Sequence, residues 1–133
     1  MSYSSSARLL SELDHVRIRR LLPQHGVPGP LAELLNGADL LPPREVPAHV
    51  ATMYSQLLLA DLVTGEQREL TLCYPVDADP AQGRVSVLSP AGTSLLGLSV
   101  GEQARWQTPD GRQHAVRLLA ILFQPEANGN YTM

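Results

Sequence analysis

The sequence predicts an α+β protein: two short antiparallel helices in the first third, then an antiparallel β-sheet carrying one short helix. Three observations predict it. Apolar residues recur at helical spacing before Pro42 and at alternating spacing after Pro47, and the prolines at 42, 43 and 47 separate the two regimes. The 133 residues, 44% of them hydrophobic and 17% charged, are enough for one core and carry too little charge for a disordered chain.

Ser11 opens the first helix as its cap, with Asp14 three residues on near the positive end of the helix dipole. The helix should run to about Leu22. Leu13, Val16 and Leu21 make its apolar face, interrupted by Arg17 and Arg20. Pro23 stops it, and Gln24 to Gly29 reads as a turn. Pro30 suits the first position of a second helix, on which Leu31, Leu34, Leu35 and Ala38 fall at i, i+3, i+4 and i+7. Leu41 to Pro47 reads as an extended linker, which divides the chain into residues 1–47 and 48–133. Beyond it, Met53 to Leu62, Glu69 to Tyr74, Arg84 to Leu88, Gln103 to Thr108 and Gln113 to Phe123 read as strands of an antiparallel meander. The last two flank Pro109, Asp110 and Gly111, a hairpin signal. Between Ser89 and Gly97 a short helix is predicted, begun by Ser and Pro and ended by Gly. The tail, Gln124 to Met133, is expected to be mobile.

Composition removes several chemistries. All ten cations are Arg and no Lys is present, which excludes a Schiff base, a lysine general base and a phosphate-loop lysine. Five Arg balance five acids before Pro47, while eight acids face five Arg after it, so no basic stripe exists for strong nucleic-acid binding and a protein partner is indicated. His15, His25, His49 and His114 have no HxxxH spacing, and Cys73 has no second Cys, so no metal site is expected. Cys73 reads as a core thiol rather than the nucleophile of a pair with His114, and Trp106 as core rather than interface. Asp77 and Asp79 beside Pro80 read as turn residues, and Gly92, Gly97 and Gly101 as helix ends and a turn. No catalytic residue, metal or cofactor is expected. The single Cys, the Ser-rich start and the absence of any apolar run of about 20 residues point to a cytoplasmic protein without a membrane span.

Ser89-Pro90-Ala91-Gly92-Thr93-Ser94-Leu95-Leu96-Gly97-Leu98-Ser99-Val100-Gly101-Glu102 resembles the signature of the C-terminal domain of the bacterial transcript cleavage factors GreA and GreB. Supporting stretches are His49 to Met53 with Ser55, Tyr74-Pro75, and Phe123 to Ala127. Leu13-Asp14, Arg17-Ile18 and Arg20 to Leu22 carry the similarity into the first helix, in the manner of the Rnk-type regulators of nucleoside diphosphate kinase. The resemblance implies a short helical hairpin followed by an FKBP-like antiparallel sheet with one helix. It also implies docking on RNA polymerase.

Gre factors resembling this chain reach into the polymerase with a long coiled coil whose tip carboxylates hold catalytic magnesium. Here a helix of roughly 11 residues would span only about 16 Å, and Pro23 to Pro30 contains neither Asp nor Glu. The expectation is polymerase docking without transcript cleavage, in competition with Gre factors. The resemblance assigns the docking loop to Leu88, Ser89, Pro90 and Gly92, with Leu88 standing where the Gre motif has Asp, and Arg17 and Arg20 could add a helical contact. Action on nucleoside diphosphate kinase, direct or indirect, is a second expectation. Prolyl isomerase activity, from the FKBP-like fold, is a third and is opposed by having only six aromatics.

Overall fold

The computed structural model of the protein describes residues 8–22 and 29–130. Strand β1 (Leu9–Ser11) leads directly into helix α1 (Glu12–Arg19), and helix α2 (Pro30–Gly37) leads into strand β2 (Asp39–Leu41), which pairs with β1 in parallel. Ser11 caps α1 as its sequence predicts, its Oγ accepting the Asp14 N–H at 3.0 Å. The helix ends earlier than expected. The N–H groups of Leu21 and Leu22 turn to the carbonyls three residues back, tightening the last turn. The turn expected at 23–28, with His25, lies outside the described residues.

The buried face of α1 also differs from the one its hydrophobicity suggests. Asp14 and Ile18 point inward, while Val16 and Leu21 are exposed and Leu13 is half-buried. The inward carboxylate has backbone to bind, so a polar group can occupy a position that periodicity would give to Leu. On α2, Leu31 and Leu35 are buried as predicted. The His15 Nε2–H donates to the Leu35 carbonyl at 3.1 Å and Arg19 donates to Asn36 Oδ1 at 2.8 Å, joining the two helices. Helices of eight residues are marginal by themselves. Burying Ile18, Leu31 and Leu35, each worth about 1.5–3 kcal/mol, is what holds them.

Leu41 to Pro47 is not a plain extended linker: Leu41 ends β2, and Pro43–Glu45 forms a 3-10 turn. The main sheet follows, with β3 (Gln56–Asp61), β4 (Gln67–Cys73), β5 (Arg84–Ser86), β6 (Gln103–Gln107) and β7 (Gln113–Phe123) in the order β5-β4-β3-β7-β6. Two features correct the antiparallel meander. Strand β5 pairs with β4 in parallel, because the ten residues between them cross over through two 3-10 turns instead of reversing tightly. Strand β7 pairs with β3 as well as β6, so β3 lies at the centre of the sheet. The β6–β7 hairpin forms as expected, with Gly111 in the left-handed region at φ 89°.

Helix α3 (Pro90–Leu95) packs across the sheet. Leu57, Leu59, Leu70, Leu72, Val116 and Leu118 alternate inward from the strands to meet Leu95, Leu96 and Leu98. Leu10, Ile18, Leu31 and Leu35 belong to the same cluster, so a single apolar core draws on residues from both sides of Pro47. The tail is more ordered than predicted. Gln124 is buried, its Nε2 donating to the carbonyls of Pro47 and Val50, both at 2.8 Å, and Glu126–Asn128 forms a 3-10 turn. Only residues 131–133 of that tail lie outside the described residues. Among the described residues no helix is long and apolar enough to cross a membrane.

Candidate functional site

The loop that leads from β5 into α3 is held from several sides. Ser89 Oγ donates to the Ser86 carbonyl at 2.7 Å and accepts the Gly92 N–H at 3.1 Å, while Ser86 Oγ accepts the Leu88 N–H at 3.1 Å. Thr93 Oγ1 closes the turn by donating to the Val87 carbonyl at 2.7 Å. Gly92 is required where it sits, since a Cβ there would lie 2.0 Å from the Ser86 carbonyl oxygen. Of the four residues assigned to the loop, Ser89 and Gly92 therefore build it, whereas Leu88, 45% exposed, and Pro90 are its outward surface.

The other end of α3 is tied to the N-terminal part. Arg8 Nη1 donates to the carbonyls of Ser94 and Leu96, at 2.8 and 2.9 Å, supplying donors to otherwise open C-terminal groups. Gly97, at φ 76°, lets β1 approach: a Cβ would meet Arg8 Cβ and the Leu9 carbonyl at 3.0–3.1 Å. The N-terminal segment and the loop from β5 are thus attached to opposite ends of one six-residue helix.

Parallel pairing of β4 with β5, in which Cys73 faces Ser86, brings a second loop to the same end of the sheet. It begins at Tyr74 and turns through Pro75–Asp77, whose Pro75, Val76 and Asp77 are exposed. Tyr54 supports it. That residue is in the left-handed region at φ 65°, costly for a bulky side chain. Its ring meets Tyr74 edge-on at 5.6 Å, and its Oη donates to Asp77 Oδ2 at 2.7 Å. Burial and then the bond to Asp77 push the Tyr54 phenol up to about 12, so it remains a donor at neutral pH. The loop then folds back along β5, the Asp77 carbonyl accepting the Arg84 Nε–H at 3.1 Å; sequence reading missed Tyr54 and its bond to Asp77.

The two arginines proposed as helical contacts separate. Arg17 is half-buried and its charge acts on Asp14, Tyr54 and Tyr74, which places it beside this second loop. Arg20 is exposed on the last turn, and its side chain binds none of the described residues. Beneath Arg17 lies a polar joint between α1 and the sheet domain. Asp14 Oδ2 accepts the Met53 N–H at 3.1 Å, Thr52 donates to Glu126 Oε1 at 2.7 Å, and Ser55 Oγ accepts the Thr52 N–H at 2.9 Å. Burial lifts the Asp14 carboxyl to about 7 against these hydrogen bonds, Glu126 adding to the effect and Arg17 opposing it.

Cys73 and His114 are not brought together. The register places Phe123 of β7 near the Cys73 end of β4, nine residues beyond His114 and about 30 Å along the strand. Cys73 is fully buried with its thiol pushed up by burial, and His114 stacks on Trp106 at 5.3 Å. Among the described residues no group of three or more His, Cys, Asp or Glu side chains is placed to hold a metal ion.

Residues 46–123 match the family described as transcription elongation factor, GreA/GreB, C-terminal. The chain is 37% identical over 130 residues to the regulator of nucleoside diphosphate kinase of Escherichia coli (strain K12), covering 94% of this chain and 96% of that protein. It is also 36% identical over 81 residues to the elongation factor GreA of Chloroherpeton thalassium, spanning 61% of this chain and about half, 51%, of that factor. Among solved structures it resembles a prokaryotic GreA/GreB elongation factor from Nitrosomonas europaea, with a TM-score of 0.73 and 34% identity over 88% of this chain and 98% of that one.

Proposed function

The chain belongs to the GreA/GreB C-terminal family, and on that premise we propose that it is a transcription regulator that docks on RNA polymerase as a Gre factor does, competes with Gre factors, and does not stimulate transcript cleavage. The observation that carries the reading is the loop from Leu88 to Pro90. It lies within the matched segment, is locked by four side-chain hydrogen bonds, and offers an exposed Leu and Pro on a rigid base. Preorganised apolar surface is what a docking contact needs, because little ordering entropy is then lost on binding.

The absence of cleavage is argued from reach and chemistry. An eight-residue α1 spans about 12 Å, and residues 23–30 contain no carboxylate. Hydrolysis by metal-activated water needs carboxylates to hold the ion. The five-stranded sheet with α3 across it supports the FKBP-like reading of the fold. Isomerase activity gains no support, since Tyr74, just beyond the end of β4, and Trp106, on β6, lie on opposite sides of β3 and β7 in the sheet. An action on nucleoside diphosphate kinase, suggested by the name of the Escherichia coli relative, is the alternative.

Core RNA polymerase titrated with the purified protein, with a Gre factor as competitor and transcript cleavage read in the same tube, tests the proposal. Binding that the Gre factor displaces, without stimulated cleavage, is the expected result. Failure to bind at micromolar protein, together with binding to nucleoside diphosphate kinase, would move the assignment to the kinase.

A further inference from the structure

The main sheet has two faces, and the described helices cover one of them. Leu57, Leu59, Leu70, Leu72, Val116 and Leu118 turn to that side, where Ile18, Leu31, Leu35 and Leu95 bring α1, α2 and α3 into the core. Residues of the opposite parity point outward. Leu58 on β3 stands beside Ala120 on β7, Ala60 beside Arg117, and Gln56 beside Phe123. Leu58, Ala60, Ala120 and Phe123 are half-buried, yet none belongs to the core cluster or to the side chains packed on it. Leu122, at a break in the β3–β7 register, is 48% exposed. Single exposed apolar residues are ordinary, but these adjoin one another across two paired strands and make a strip.

Charge is divided across the two sides of this strip. On β6 Ala104 turns inward, so Arg105 faces outward, and on β7 Arg117 stands opposite Gln103. Arg105 donates to Gln103 Oε1 at 3.4 Å and Arg117 Nη1 to the Gly101 carbonyl at 2.9 Å, and neither forms an ion pair among the described residues. On the other side lies Glu69 of β4, opposite Leu58. It accepts a hydrogen bond from Gln56 Nε2 at 3.1 Å and likewise has no ion pair among the described residues. From β6 to β4 the outer face therefore runs cation, apolar strip, carboxylate.

We infer that this outer face pairs with the same face of a second copy of the chain, the two sheets lying back to back about a twofold axis that runs along the strands between β3 and β7. Such an axis lays β7 of each copy over β3 of the other, and β6 over β4. Apolar strip then meets apolar strip, and Glu69 of each copy comes to the Arg105 and Arg117 side of the other. A partner of one sign fits less well, because an acidic surface would face Glu69 and a basic one the two arginines. Four strands about 4.8 Å apart and about six residues long make a face of about 19 by 20 Å. That is about half of the ~800 Å² per partner typical of a specific interface before side-chain relief is counted, so the dimer is weak, with a Kd of about 10–100 μM. Helix α3 lies on the other face and stays uncovered, and the pairing does not rest on the polymerase reading.

Sedimentation equilibrium of the full chain, from about 5 to about 500 μM, tests the inference across the expected range. Wild type should pass from monomer to dimer mass. Leu122 and Arg105 are exposed, so changes there leave the fold intact. Leu122→Asp should weaken the dimer about tenfold or more, and Arg105→Glu about fivefold. Adding Glu69→Arg to Arg105→Glu exchanges the charges and should restore most of the loss. Val16→Asp is the control, since Val16 is 46% exposed on α1, away from this face, and should change nothing. A chain that stays monomeric throughout overturns the inference. So does a dimer that Leu122→Asp and Arg105→Glu both leave at wild-type strength, and a loss that the charge exchange does not restore refutes the twofold arrangement.

Discussion

Replacing Asp14 with Asn removes a titrating proton but keeps an oxygen to accept the Met53 N–H. In the native protein this carboxyl is 3% exposed and titrates at about 7, with burial as the main cause and Glu126 reinforcing it. The unfolded chain releases the same proton near 4. Between those values the native state holds a proton that the unfolded state has lost, so stability is full at acid pH and falls as pH rises towards 7. At about 1.4 kcal/mol per pH unit, the whole window is worth roughly 4 kcal/mol, a large part of the 5–15 kcal/mol typical of a domain. Urea unfolding at pH 5 and pH 8, on wild type and Asp14→Asn, reads the effect directly. Other groups titrate in both proteins, and the difference between them isolates this one. Wild type should lose roughly 3 kcal/mol more than the variant between the two pH values. Equal losses would refute the assignment of a protonated carboxyl at the joint.

Gly92→Ala should destabilise the protein by about 2–3 kcal/mol in chemical denaturation, because the new Cβ would have to displace the Ser86 carbonyl now 2.0 Å from its position. A change below about 0.5 kcal/mol would mean that the loop yields without cost. Arg8→Met keeps an apolar stem but leaves the Ser94 and Leu96 carbonyls without their donor, and should lower stability by about 1–2 kcal/mol. Hydrogen exchange should at the same time quicken in α3 more than in β3; uniform quickening would count against a local clamp.

What the sequence makes legible is what rests on local chemistry. Ser11 and Ser89 cap helices, Pro30 and Pro90 begin them, and Gly97 and Gly111 turn the chain, each through contacts a few residues long. Strands β1 and β2 leave no such trace. Three residues hold less than two periods of alternation, and their pairing depends on a partner some thirty residues away. The parallel β4–β5 pair is hidden for the same reason. Gln124 follows an apolar strand and looks like the start of a tail, until its amide reaches the carbonyls of Pro47 and Val50.

Asp14 marks the limit of hydrophobic patterning. Near the start of α1 it reads as a dipole partner, an outward role, yet its Oδ2 points into the molecule to meet Met53. An apolar residue there would add burial but strand the Met53 N–H, a loss of about 1–3 kcal/mol that offsets most of the gain. The carboxyl also does what Leu could not, because a hydrogen bond fixes direction as well as distance. Met53 adjoins Tyr54, whose hydroxyl in turn holds Asp77. The polar joint thus anchors the backbone immediately before the strained residue, linking the first helix to the turn that carries Asp77.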